Sequence, residues 1–302
     1  MSRRTLLPIA LALAAALLVA AAPARAACVS DDTGTEICLD TPPTRVVSLY
    51  GAFTELLWEL GVRDLVARTA NDDTIPAVAA LPSVGTGLRP DVEHLLALRP
   101  DLVVSRGGRA SQEALSALRA RGLRVAAFDP TDLGELDTVV ARMGTLCGRG
   151  IEASALTDRL RERLAAVEAR VGNPARRTRV VFEVRAEPLT VAGTGGLVDE
   201  VIRRAGGVNA VQSPKKLLLL DTEALLKLDP DVYVVQEGPM NRKPAAPADR
   251  PHAGLLRAVR EHRVLVVDEE LFSRPGPRVA EAVEQLSRFL YPDLWDRGTG
   301  AK

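Results

Sequence analysis

The side chains with the most chemical reach in this 302-residue chain are arginines in Gly-, Pro- or polar-rich connectors. Arg89, Arg185, Arg274 and Arg278 each offer a planar fork of donors that matches carboxylate or phosphate. Lys215 and Lys216 stand near another segment edge. Tyr50 and Phe272 can supply apolar walls. Gly51, Gly87, Gly107 and Gln236 belong to the same connectors, written "YGAF", "GTGLRP", "SRGGR" and "QEGPMN". This inventory suits the holding of an anionic small molecule. Other chemistries lack their residues. There is no G-x-S-x-G elbow and no phosphate-loop lysine. The Gly-rich turn in "AGTGGLVDEVI" lacks the G-x-G-x-x-G spacing. His94, His252 and His262 fall on separate elements, so a zinc or manganese site with four converging ligands is not expected. The chain reads as a binder that is not an enzyme and carries no resident metal or cofactor.

The elements that must position these residues alternate between strand and helix. "RVVSL", "DLVART", "DLVVS" and "LRVAAFD" are short apolar strands with helices between them. "RVVFEV", "VYVVQEG" and "HRVLVVDEE" repeat the pattern after residue 174. Apolar strands separated by amphipathic helices imply parallel sheets covered on both faces. Between the two sets runs "GIEASALTDRLRERLAAVEARVG", about 22 residues of uninterrupted helix stopped by "GNP". Such a helix spans roughly 33 Å, enough to cross from one lobe to another. The expected fold is therefore α/β, with two Rossmann-like lobes of parallel sheet joined by one long crossover helix. The expected boundaries are 27–148 for the first lobe, 149–173 for the linking helix and 174–302 for the second lobe.

The two lobes share a sentence. "DVEHLLALRPDLVV", from Asp91, and "DTEALLKLDPDVYV", from Asp221, agree at eight of fourteen positions. In each an Asp caps a helix, leucines face inward, a Pro blocks continuation and a strand follows. "TELLWELG" parallels "VDEVIRRAG", with Glu55 over Glu200, and the strands ending at Asp129 and Asp268 correspond. A duplicated α/β lobe places two sets of strand carboxyl ends face to face, which is where ligands bind in open parallel sheets.

Composition limits the partners. Acidic and basic residues balance at 39 each, so neither nucleic acid nor an anionic membrane surface is implied. Only five of the basic residues are lysines, and most arginines read as a solvated surface. Residues 1–26 combine "MSRR", an apolar run and "ARA", the signature of a signal peptide cleaved near Ala26. No other stretch is apolar enough to span a bilayer. Export implies an oxidising compartment, where Cys28 and Cys38 across the "VSDDTGTEI" hairpin are expected to form a disulfide. Cys147 reads as a buried apolar residue.

The segments "RVVSLYGAFTELLWELG", "LPSVGTGLRPDVEHLLALRPDLVV", "RGLRVAAFD", "AGGVNAV", "DTEALLKLDPDVYVV" and "RPGPR" together resemble the periplasmic substrate-binding proteins of ABC importers for iron–siderophores, haem and cobalamin. The resemblance runs from about Arg45 to Leu290. It implies a monomeric periplasmic receptor that delivers a metal chelate to a permease dimer with its ATPase. It also implies that one acid on each lobe docks onto permease arginines; the matching positions are Glu93 and Glu223. The implied ligand set is Tyr50, Gly51, Gly87, Arg89, Gly107, Arg185, Gln236, Phe272 and Arg274. Departures bear on the ligand. Gly87 stands where siderophore and cobalamin receptors place Arg or Trp, and Thr86 stands where haem receptors favour Tyr. A ferric siderophore or a corrinoid is the expected ligand; haem, held through Tyr50, is the alternative. A secreted hydrolase with an inter-lobe active site is the reading from another class.

Overall fold

A computed structural model describes residues 27–296. The expected signal peptide, residues 1–26, lies outside the described residues. The chain opens with a hairpin of β1 (Ala27–Ser30) and β2 (Glu36–Leu39). Cys28 and Cys38 face each other in its register and are joined by a disulfide, as expected. The hairpin is tied to the body through Asp31. Its carboxylate accepts from the backbone of Thr33, Thr35 and Ala127 and pairs with Arg119. Burial opposes ionisation of Asp31, but these hydrogen bonds outweigh it and hold the carboxyl below its usual range.

The first lobe follows, with β3 (Val46–Ser48), α1 (Gly51–Glu59), β4 (Leu65–Ala67), α2 (Val92–Leu98), β5 (Leu102–Arg106), α3 (Gln112–Ala120), β6 (Val125–Phe128) and α4 (Leu133–Leu146). Its four strands lie in the order β4-β3-β5-β6, all parallel. After the 22-residue α5 (Gly150–Val171) comes the second lobe, with β7 (Arg179–Arg185), β8 (Thr190–Ala192), α6 (Leu197–Arg204), β9 (Val208–Asn209), β10 (Leu217–Leu219), α7 (Thr222–Leu228), β11 (Val232–Glu237), α8 (Arg257–Arg260), β12 (Val264–Asp268), α9 (Glu269–Phe272), α10 (Val279–Leu290) and α11 (Pro292–Asp296). Its central strands β7, β11 and β12 are parallel, but at one edge β8 runs antiparallel to β7 and β10 antiparallel to β8. Only four residues separate β7 from β8, too few for a crossover helix, so the chain can only fold straight back.

The duplicated sentence is realised down to the backbone. Asp91 accepts from the His94 amide at 3.0 Å, and Asp221 from the Ala224 amide at 2.7 Å. Each helix ends in a left-handed residue, Arg99 or Asp229, directly before its proline. The helix in "YGAFTELLWELG" starts at Gly51. Thr54 lies in the first turn, where its hydroxyl hydrogen-bonds the Tyr50 carbonyl and Asp72.

The linking helix is a structural member of both lobes. Leu156, Leu160, Leu164, Val167 and Val171 repeat at helical spacing and are buried, each contributing about 1.5–3 kcal/mol relative to exposure. They belong to one apolar core that runs from Phe53 and Phe128, through α5, to Phe182 and Phe272. On the solvent side Arg161 pairs with Asp137 of α4, and Arg163 with Glu284 of α10. The outer faces of the two sheets carry separate cores, around Val103 and Leu118 in the first lobe and Val181 and Tyr233 in the second. Cys147 is buried, and desolvation pushes its thiol up to about 12. No helix among the described residues is long and apolar enough to cross a membrane.

Candidate functional site

The site is built where strand ends of the two sheets meet. Tyr50 follows β3 and sits at the start of α1 in extended backbone, φ −150°. Its carbonyl accepts from Ser48 Oγ at 3.0 Å, and Phe53 meets its ring edge-on at 5.0 Å. These contacts fix the ring. Its hydroxyl is buried and has no hydrogen-bond partner among the described residues. Burial, the largest influence, raises the phenol above its ordinary value against the pull of Arg106 and Arg274, so it stays protonated at neutral pH.

Two guanidinium groups approach this ring, one from each lobe. Arg106, the last residue of β5, lies 5.5 Å from the ring centroid and pairs with Asp129 at 3.0 Å. Arg274, just past α9 of the second lobe, lies 5.9 Å from it and pairs with Glu270 at 3.1 Å. The glycines around these groups are there for space. A Cβ on Gly108, whose φ is +90°, would stand 2.8 Å from the Asp129 carboxylate. A Cβ on Gly51 would fall 2.8 Å from Asp72 and 3.1 Å from Arg274. Lys216 comes from the connector before β10, and its stem lies over Gly196. Burial first, and then the charge of Arg106, lower the ammonium's affinity for its proton.

The remaining residues of the sequence-based ligand set are placed unequally. Gly51 and Gly107 line the mouth's floor, with the Gly107 amide donating to the Phe128 carbonyl at 2.7 Å. Gly87 packs against the Leu49 carbonyl, 2.2 Å from where its Cβ would be. Arg89 is exposed in a turn closed by Thr86. Arg185 is half-buried at the end of β7 and reaches Thr190 at 3.4 Å. Two residues do not belong to the mouth. Gln236 is wholly buried: its amide nitrogen donates to the Val184 carbonyl at 3.1 Å and its oxygen accepts from Ser273. Phe272 is also wholly buried, its ring 6.2 Å from that of Phe182 in the common core. Both side chains turn into the protein.

Sequence reading missed Arg106, Asp129 as its partner, Asp72 and Glu270. Arg106 lay inside the quoted "SRGGR" connector, and its position at the last residue of a strand was the available signal. The repeat did flag Glu55 and Glu200, and both prove to span the lobes. Glu55 of α1 pairs with Arg278, at the start of α10, at 3.1 Å. Glu200 of α6 accepts from the Leu133 amide, at the start of α4, at 2.8 Å. Each acid thus fastens its own lobe to the start of a helix late in the other lobe. Burial, the largest influence, raises the Glu55 carboxyl above its usual range despite Arg278.

Glu93 and Glu223 are exposed in the first turns of α2 and α7. Glu223 pairs with Lys227 at 2.7 Å on its own helix. A crevice of about 490 Å³ lies elsewhere, bounded by Trp58, Ile75, Leu156, Arg159 and Pro277 on the linking-helix side. Its charged neighbours Glu55, Glu59, Arg159 and Arg163 all have partners, which leaves it nothing to grip an ion with.

Comparison with known proteins gives a consistent picture. The model of a family described as periplasmic binding protein matches residues 46–271. An uncharacterised ABC transporter substrate-binding lipoprotein of Bacillus subtilis strain 168 is 28% identical over 274 residues, covering 88% of this chain and 86% of that one. A cobalamin-binding protein of Halobacterium salinarum is 28% identical over 272 residues, 86% of this chain and 73% of its own. Among solved structures, a periplasmic haem-binding protein of Pseudomonas aeruginosa superposes with a TM-score of 0.73 at 29% identity, covering 83% of this chain and 93% of that one.

Proposed function

Because the chain belongs to the periplasmic binding protein family, we propose that it is the solute-binding component of an ABC importer, capturing a metal chelate between its lobes. The observation that carries this reading is the mouth itself. A fixed tyrosine with a free hydroxyl is flanked by guanidinium groups from opposite lobes, at the strand ends where α/β sheets take ligands. The relatives support a chelate, since one is named for cobalamin and another for haem. The ferric-siderophore or corrinoid reading comes first. Haem is a second reading, favoured by the unpartnered Tyr50 hydroxyl.

Residues 1–26 direct export and are removed near Ala26, leaving a periplasmic monomer. The B. subtilis relative is named a lipoprotein; here the Cys28 sulfur is occupied by its disulfide and is not offered to a lipid. The loaded receptor docks by Glu93 and Glu223 onto a permease dimer coupled to its ATPase. Closure on the ligand is small, because the common core through α5 and the Glu55 and Glu200 fastenings leave few free joints.

The test is retention. The mature chain is mixed with cobalamin, cobinamide, ferric hydroxamates, ferric citrate and haemin, then passed over a gel-filtration column. A stoichiometric absorption spectrum of one chelate in the protein peak is expected. A colourless peak of folded protein would contradict the reading.

A further inference from the structure

Resting on the reading of the inter-lobe mouth as the ligand site, we propose that Asp72 is a positioning residue of that site: it takes the Arg274 guanidinium across the seam between the lobes, in exchange for Glu270, and so slows release of what the mouth holds. Asp72 lies in the connector after β4 and is 1% exposed. One of its carboxylate oxygens accepts from the Thr54 hydroxyl at 3.2 Å and from the Thr69 amide at 3.3 Å. The other, Oδ1, is buried and has no donor among the described residues. A buried carboxylate oxygen without a donor is costly, and a guanidinium is among the strongest donors that could offset it.

Arg274 is placed to be that donor. Its segment is already seated on the first lobe: a Cβ on Gly276 would lie 3.2 Å from Ala52 Cβ, and Arg278 pairs with Glu55 of α1. The position of a Cβ on Gly51 is 2.8 Å from Asp72 Oδ1 and 3.1 Å from Arg274 Nη1. Glycine therefore leaves the two groups facing each other across a gap that no side chain fills. In this structure the guanidinium pairs with Glu270 of its own lobe at 3.1 Å. The two carboxylates differ in their access to water. The Glu270 side chain is 23% exposed, so water can take the guanidinium's place there, whereas buried Asp72 has no such substitute. The guanidinium also lies 5.9 Å from the Tyr50 ring centroid. An occupant that takes this face of the ring displaces it toward Asp72. Rotation of one side chain then adds a second ion pair between the lobes, beside that of Arg278 with Glu55.

The experiment has two arms. In the first, association and release of cyanocobalamin and of haemin are followed by absorbance on the mature chain and its variants. Asp72→Asn is expected to speed release about tenfold or more with association unchanged. Arg274→Gln should do the same, and the two together no more than either alone. Glu270→Gln removes the competing carboxylate and is expected to act in the opposite direction, slowing release, and Asp72→Asn added to it should erase that gain. A role for Asp72 in folding alone does not produce this reversal of sign. Release that is unchanged in Asp72→Asn, or faster in Glu270→Gln, would overturn the proposal while leaving the importer reading in place. The second arm uses no chelate, so it decides the matter if Asp72→Asn is unstable or if folded protein retains neither probe, the latter result counting against the site reading. A crystal structure of ligand-free Glu270→Gln is expected to show the Arg274 guanidinium paired with Asp72 Oδ1. A guanidinium that stays clear of Asp72 there would overturn the proposal.

Discussion

Reversing the charge at Glu93 and Glu223 together, as Glu93→Arg with Glu223→Arg, is expected to abolish uptake of the bound chelate while leaving its dissociation constant unchanged. The magnitudes separate the two roles. As a helix-start residue each Glu contributes about 0.3–1 kcal/mol through the positive end of its helix. The Glu223–Lys227 pair is fully on the surface and contributes at most a few tenths of a kcal/mol. A carboxylate that meets a permease guanidinium in a desolvated interface is different. Removing one partner of such a pair costs about 2–5 kcal/mol, and a like charge in its place costs more. Two such losses exceed what a transient complex can absorb, while the fold barely notices. Uptake is measured in cells carrying the cognate permease, and affinity on the purified variant. Normal uptake by the double variant would remove the docking assignment. A loss of affinity would mean that the helices shape the mouth instead.

Phe272→Ala is expected to lower stability by about 3–5 kcal/mol and to leave chelate affinity nearly intact when measured well below the unfolding transition. Phe272 is wholly buried in the core that α5 shares with both lobes, stacked on Phe182. Truncation leaves a cavity that the facing strands cannot fill. For a chain of this size the thermal midpoint should fall by roughly 10 °C. Phe272→Leu should recover most of that loss. The opposite pattern, an unchanged midpoint with a large loss of affinity, would return Phe272 to the ligand site.

Phe272 also shows where sequence pattern stops. Repetition and capping are local, so Asp91, Asp221, the prolines after their helices and the strand–helix alternation could be read directly. The disulfide across a ten-residue hairpin was legible for the same reason. What lies beyond a strand's end is decided by register. A one-residue change turns a side chain from the mouth into the core, and "QEG" and "ELFSR" give no sign of which occurs. Gln236 and Phe272 therefore read as ligand residues and fold as buried ones. Arg106 errs the other way. Its role depends on Asp129, 23 residues later, and on Tyr50 of a neighbouring strand end, so nothing nearby in sequence marks it. Glu55 and Glu200 fall between these cases. Their equivalence was visible in the repeat, but their partners Arg278 and Leu133 belong to the opposite ends of the lobes.

The central claim, that the ligand sits in the inter-lobe mouth, is tested most directly by hydrogen–deuterium exchange with and without the chelate that the protein retains. Protection is expected in the backbone around residues 50–53, 105–109 and 268–274, the segments that carry Tyr50, Arg106 and Arg274. Protection confined to the crevice lined by Trp58, Leu156 and Pro277, with none at those connectors, would contradict it.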